Sequence, residues 1–144
     1  MNIFSDDEQR HISEAIEAAE QFTSGEIRIC VEKSCSEPVL DRAANYFKKL
    51  GMGKTVLRNG VLIYISTDDH QFAIIGDAGI NKKVPADFWD CTKDEMLSHF
   101  KQGKLTDGII AGIKRSAEQL KLYFPYREGD KNELPNDISF KDGN

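Results

Sequence analysis

The fold is decided by residues 58–79, which read RNGVLIYISTDDHQFAIIGDAG. The apolar run from Val61 to Ile65 is short and uninterrupted, which is typical of a strand covered on both faces. Polar residues 67–70 follow, and residues 72–75 are apolar again. This succession predicts a β-hairpin whose second strand runs antiparallel to the first. A strand with both faces covered needs helical layers above and below it.

Two helices and a strand are predicted upstream of the hairpin. Ser5 and Glu8 have the S-x-x-E spacing of a capping box, and apolar residues then recur at helical spacing, which predicts a helix from about 6 to 23. Apolar and polar residues alternate over 27–32, which predicts a strand. Pro38 indicates the start of a second helix, because the N–H that proline lacks is not needed in a first turn.

Two further helices and an irregular tail are predicted downstream. Thr92 and Glu95 repeat the capping-box spacing, so we expect a helix to start at Thr92. Another helix should begin near Thr106 or Asp107. From Pro125 onward turn-forming residues cluster, so we expect one domain over residues 1–125 and an irregular extension over 126–144. The order of elements predicts an α/β sandwich with a small mixed sheet between helical layers.

The composition excludes several classes of protein. A chain of 144 residues can bury a core of its own without disulfides or a structural metal, and its three cysteines do not form a disulfide framework. The net charge of −5 argues against nucleic acid as the main partner. The chain shows no signal-peptide pattern and no apolar run approaching the roughly 20 residues of a membrane span. We therefore expect a soluble, cytoplasmic, monomeric protein.

One phosphate-binding motif is present only in part. Gly53-Lys54-Thr55 matches the end of a phosphate loop, but the position of its first glycine is Lys48. The segment also leaves a helix and enters a strand, which is the reverse of what such a loop requires. No zinc-ligand spacing or serine-nucleophile motif appears either. Carboxylates are the remaining candidates for chemistry.

Oxygen-bearing side chains gather at one edge of the predicted sheet. The first two strands are joined by a crossover helix and should run parallel, and the third returns antiparallel to the second. Glu26, Asn59 and Asp77 therefore share an edge, and such oxygen ligands suit Ca²⁺ or Mg²⁺. Asp107 is either a fourth ligand or a favourable charge at a helix N-terminus. Asp68 and Asp69 fall at the opposite edge.

Several segments together resemble the TPM domain, a family named for a thylakoid lumen protein, a photosystem II protein and a nematode receptor modulator. The resemblance covers residues 3–125 and is carried, in order, by TSGEI (23–27), LGMGKT (50–55), RNGVLIY (58–64), FAIIGDAGI (72–80) and FW (88–89). The chain is most similar to short bacterial members that consist of little else. This resemblance implies a three-layer α/β/α sandwich around a small, mostly parallel mixed sheet. It also implies binding of Ca²⁺ or Mg²⁺ and a proposed acid phosphatase activity.

The chain departs from the family pattern in two loops. Many members have an acid directly before Asn-Gly, where this chain has Arg58. Many also have an aromatic residue between two glycines, where this chain has Asp77-Ala78. The acidic residue of the family pattern therefore looks shifted in this chain, from the position before Asn59 to Asp77 in the neighbouring loop. Arg58, together with Lys54, could instead receive a phosphate or carboxylate group.

Three functions stay open on the sequence alone. The first is a module that binds a divalent cation at the four oxygen-bearing residues named above. The second is a metal-dependent phosphatase acting on phosphomonoesters, in which Arg58 or Lys54 holds the ester. The third is a protein-interaction module whose exposed docking surface consists of Phe88, Trp89, Phe124, Pro125 and Tyr126.

Overall fold

The computed structural model describes residues 3–126 and 139–140. The helices are α1 (Asp6–Glu20), α2 (Val39–Lys49), α3 (Ala78–Asn81), α4 (Phe88–Lys101) and α5 (Leu105–Tyr123), with a 3-10 turn at Met52–Lys54. The strands are β1 (Glu26–Glu32), β2 (Gly60–Ser66), β3 (Gln71–Gly76) and β4 (Ser139–Phe140). None of the helices in these ranges is long and apolar enough to cross a membrane.

The strands form one sheet in the order β3-β2-β1-β4. β1 runs parallel to β2 and to β4, and β3 runs antiparallel to β2. Glu26 lies opposite Gly60, and Val61 lies opposite Gly76. The crossover and the hairpin predicted from the sequence are therefore confirmed, and the sheet is mixed and mostly parallel.

Helices cover both faces of the sheet. Alternate residues of β1, such as Ile27 and Ile29, pack in a large core with residues of α1, α4 and α5. On the other face Cys30 and Tyr64 pack against α2 in a smaller core. Every residue of β2 is buried. This arrangement confirms the three-layer α/β/α sandwich.

One prediction about the start of a helix is wrong. α4 begins at Phe88 rather than at Thr92. The Thr92 side chain is buried within the helix, and its hydroxyl donates to the Phe88 carbonyl oxygen at 2.8 Å instead of capping a helix start. Within the predicted extension, Ser139–Phe140 form β4 at the edge of the sheet. Residues 127–138 and 141–144 of the predicted extension lie outside the described residues.

Candidate functional site

Three of the four predicted oxygen-bearing residues lie together at one edge of the sheet. The Glu26 N–H donates to the Asn59 carbonyl oxygen at 3.4 Å, and the Asp77 N–H donates to the Gly60 carbonyl oxygen at 2.9 Å. Glu26, Asn59 and Asp77 are all buried. The strand directions inferred from the connections were sufficient to bring these residues to the same edge.

Asp77 forms a bidentate ion pair with Arg58. Arg58 Nε donates to Oδ2 at 2.6 Å and Nη2 donates to Oδ1 at 2.7 Å. Oδ1 also accepts from the Ala78 N–H at 2.8 Å, which caps α3. Burial alone would raise the pKa of Asp77, but the bonds from Arg58 and Ala78 outweigh it and lower that pKa below its ordinary value. The carboxylate is therefore ionised, and its charge is matched by the guanidinium.

The loops that carry this ion pair cross at very short range. Arg58 has a φ of 53°, and its carbonyl oxygen accepts from the N–H groups of Gly79 and Ile80 at 2.7 and 3.3 Å. A Cβ atom at Gly79 would lie 2.0 Å from the Leu57 carbonyl oxygen. Only glycine allows this approach, so Asp77-Ala78-Gly79 supplies both the acid and the space for the crossing loop.

Glu26 and Asn59 are engaged with neighbouring segments. Burial, and to a smaller extent the charge of Glu26, raises the pKa of Glu20 to about 9, although the Ile27 N–H donates to Glu20 Oε2 at 2.9 Å and opposes the rise. Asn59 Nδ2 donates to Ser24 Oγ at 3.3 Å. The hydrogen bond between Asn59 and Ser24 therefore joins the loops that begin β1 and β2.

Asp107 does not belong to this group. Leu105, at the start of α5, lies beside Ser66 at the hairpin end of the sheet, whereas Leu120 lies against Gly25 at the opposite end. At 1.5 Å per residue, Asp107 is roughly 20 Å along the helix from Leu120. The prediction that Asp107 joins the other three is wrong, because α4 spans the sheet and α5 starts at its far edge.

The donor set at this edge does not fit a divalent cation. Calcium and magnesium need several oxygen ligands that are free to face the ion. Both oxygens of Asp77 accept N–H groups from Arg58, and the arginine supplies the positive charge that an ion would bring. Within residues 3–126 and 139–140, no group of three or more His, Cys, Asp or Glu side chains could hold a metal ion.

Arg58 is exposed, and a turn that carries a lysine lies beside it. The Arg58 side chain is 53% exposed, and a Cβ atom on Gly53 would lie 3.8 Å from Nη2, so the 3-10 turn that carries exposed Lys54 adjoins the guanidinium. Further lysines lie in the neighbouring segments: Lys48 and Lys49 end α2, and Lys82 and Lys83 follow α3. Glu26 and Asp77, by contrast, are buried, whereas Asp87 and Asp90 at the start of α4 are exposed. An exposed guanidinium beside Lys54, with its own acid partner buried, favours an anion over a cation.

A second polar cluster, which sequence reasoning missed, lies at the other end of β1. Glu32 is buried and accepts from Arg42 Nε and Nη2 at 2.8 and 2.9 Å, from the Tyr46 hydroxyl at 3.0 Å and from the Tyr64 hydroxyl at 2.6 Å. We call these four residues the Glu32 cluster. Burial alone would raise the pKa of Glu32, but these bonds outweigh it and lower that pKa. The signals were an acid at the end of an apolar strand and an Arg–Tyr pair four residues apart on α2.

The aromatic residues proposed as a docking surface contribute largely to the fold. Phe88 is buried, and its ring meets Trp89 edge to face at 4.8 Å between ring centroids. Trp89 Nε1 donates to Asn81 Oδ1 at 2.8 Å, which ties α4 to α3. Tyr126, by contrast, is 50% exposed.

The fold corresponds to a known class of domain. A profile of the TPM domain matches residues 1–119, and the chain belongs to that family. The BA42 protein from the psychrophilic bacterium Bizionia argentinensis, solved by NMR, is similar at 44% identity, with 97% of each chain covered and a TM-score of 0.91. No curated protein matches the chain.

Two more distant structures share the fold alone. One is the N-terminal domain of a protein from P. gingivalis, with 18% identity, 88% of this chain and 83% of that chain covered, and a TM-score of 0.72. The other is the N-terminal domain of a protein from Corynebacterium glutamicum, with 14% identity, coverage of 83% and 76%, and a TM-score of 0.63.

Proposed function

We propose that this TPM domain binds a phosphate-bearing ligand at the Arg58 loop, residues 55–59. The observation that carries the proposal is the fixed guanidinium. Asp77 holds Nε and Nη2 at 2.6 and 2.7 Å, so the group is oriented before a ligand arrives. These bonds use two of the five N–H groups of a guanidinium, and 53% of the side chain is exposed. The remaining N–H groups can pair with phosphate oxygens.

The lysines around the loop support the same proposal. The ion pair with Asp77 cancels the charge of Arg58, so attraction of an anion depends on further cations. Lys54, Lys82 and Lys83 are exposed on segments that adjoin the loop. The net charge of the chain is −5, so the attraction has to come from these lysines and not from the chain as a whole.

Titration with inorganic phosphate and phenyl phosphate tests the proposal. Arg58→Ala should weaken binding at least about tenfold, the effect of losing one charge-assisted hydrogen-bonding group. Arg10→Ala is the matched control, because Arg10 also pairs with an aspartate but lies exposed on α1. Equal affinities for Arg58→Ala and the wild type, measured by calorimetry and amide shifts, would disprove a phosphate site at this loop.

A divalent cation is the second candidate, and the observation in its favour is the ionised carboxylate of Asp77 between two crossing loops. In the structure, the Arg58 guanidinium binds both oxygens of Asp77, which is where a cation would bind. The two candidates therefore predict opposite effects of the same variants. For a cation, Asp77→Asn abolishes Ca²⁺ or Mg²⁺ binding and Arg58→Ala strengthens it. For a phosphate ligand, Arg58→Ala weakens binding and Asp77→Asn retains it.

Hydrolysis of phosphomonoesters goes one step further than binding. The phosphatase hypothesis relies on a metal ion, and the donor set at this edge does not fit one, so the proposal covers binding alone. Turnover of phenyl phosphate by the wild type with added Mg²⁺, absent from Asp77→Asn, would extend it to catalysis. A protein partner, a cytoplasmic location and a monomeric state stay predictions of the sequence.

A further inference from the structure

A cavity of about 360 Å³ lies at the opposite edge of the sheet, between the β2–β3 hairpin and the turn that joins α4 to α5. Its inner part is apolar and includes Ile65, Phe72, Phe100 and Leu105. The Phe72 and Phe100 rings meet edge to face, with centroids 4.8 Å apart. The volume falls within the range of small-molecule sites, about 300–1,000 Å³. This edge lies beyond the reach of the Arg58 loop.

Among the residues that line the cavity, Lys101 carries the only formal charge at pH 7. Lys101 and His70 line it and are exposed, and no aspartate or glutamate is among its lining residues. Asp69, in the hairpin turn, is nearby but engaged, since its Oδ2 accepts from the Cys35 N–H at 2.6 Å and from the Ser66 hydroxyl at 2.8 Å. The cavity therefore combines an apolar interior with one lysine at its rim.

We propose that this cavity binds a small carboxylate with an apolar chain, such as a medium-chain fatty acid. The chain packs against Phe72, Phe100 and Leu105, where it leaves water, and the carboxylate pairs with Lys101 at the rim. His70 donates a further hydrogen bond through its ring. The site is independent of the proposed phosphate site, so either can fail while the other holds.

Titration with octanoate, monitored by calorimetry, tests the charge requirement. Lys101→Met removes the cation and keeps the length of the side chain, and it should weaken octanoate binding about tenfold. Lys104→Met makes the same charge change outside the cavity and should have little effect. Octanol has the same chain without the charge and should bind both variants equally. Equal losses for the two lysine variants would overturn the assignment to Lys101.

A second measurement locates the ligand without a variant. Amide shifts of the wild type on addition of octanoate should be concentrated around residues 65–72 and 97–105. Leu105→Trp should fill the cavity and abolish binding, and its melting curve establishes that the variant folds. The absence of octanoate binding by the wild type, or shifts centred on another part of the chain, would refute the proposal.

Discussion

Replacing Tyr64 with phenylalanine should destabilise the protein through a single hydrogen bond. The Tyr64 ring is fully buried, and its hydroxyl donates to Glu32 Oε1 at 2.6 Å. A hydrogen bond to a charged group contributes about 1.5–3 kcal/mol. The variant keeps the aromatic ring. Glu32 Oε1 still accepts a hydrogen bond from Arg42 Nε at 2.8 Å, so this oxygen is not left without a donor. We therefore expect a loss of about 1.5–2 kcal/mol, at the low end of that range, or roughly 5 °C in Tm.

The pH dependence of this loss separates a hydrogen bond to a carboxylate from a change in packing. The folded-state pKa of Glu32 is lowered from 4.5, so its stabilising contribution is complete above about pH 4.5 and is lost as the pH falls through the lower folded value. The gap between wild type and Tyr64→Phe should be constant between about pH 6 and 8 and should narrow in acid.

Urea denaturation followed by circular dichroism measures the gap, and Tyr123→Phe is the matched control. Tyr123 is exposed at the end of α5, and its hydroxyl bonds to no described residue. The control should stay within about 0.5 kcal/mol of the wild type. A gap for Tyr64→Phe that is equally small, or that widens in acid, would refute the role assigned to the Glu32 cluster.

Two further substitutions test the crossing of the loops at Gly79 and the raised pKa of Glu20. Both residues lie at the end of β1 opposite the Glu32 cluster. Gly79→Ala should cost about 3 kcal/mol or more, because its Cβ would lie 2.0 Å from the Leu57 carbonyl oxygen, whereas Gly103→Ala, with a φ of 75° and open space, should cost about 1 kcal/mol. Equal urea midpoints for these variants would contradict the close crossing of the loops. Glu20→Gln should gain stability over the wild type as the pH rises from about 4.5 to 9, because folded Glu20 retains a proton that the unfolded chain releases. Parallel stability profiles of the two proteins across that range would rule out the raised pKa.

Much of the fold could be predicted because its signals are local. Ser5 and Glu8 make both bonds of the capping box, at 3.1 and 2.9 Å, as their spacing indicates. The same spacing at Thr92 gave a wrong helix start. The spacing does not reveal that Thr92 lies on the buried side of a helix that has already begun at Phe88. The two residues of β4 are too few to show a strand period in the sequence.

The candidate site was predictable to the level of strand direction and no further. Glu26, Asn59 and Asp77 share an edge because the crossover and the hairpin fix which strand ends meet. The pairing of Asp77 with Arg58 depends on how closely two loops approach, and the sequence carries no such distance. Asp107 could have been placed by following the chain, since α4 starts at the edge that holds Asp77 and α5 starts where α4 ends.

The sheet order has a consequence for how the protein is made. Cys30 and Val31 pair with Ser139 and Phe140, which are translated after β1, β2 and β3. Until those two residues have left the ribosome, the middle of the β1 edge lacks its partner strand, and an open edge can pair with another polypeptide. The Ile27 N–H, on the same strand, donates to the carboxyl group of Glu20, which is translated before it. We expect nascent chains that stop short of Ser139 to aggregate more readily than chains that include Ser139 and Phe140, because β4 is the last of the described strands to be added and it pairs with the first.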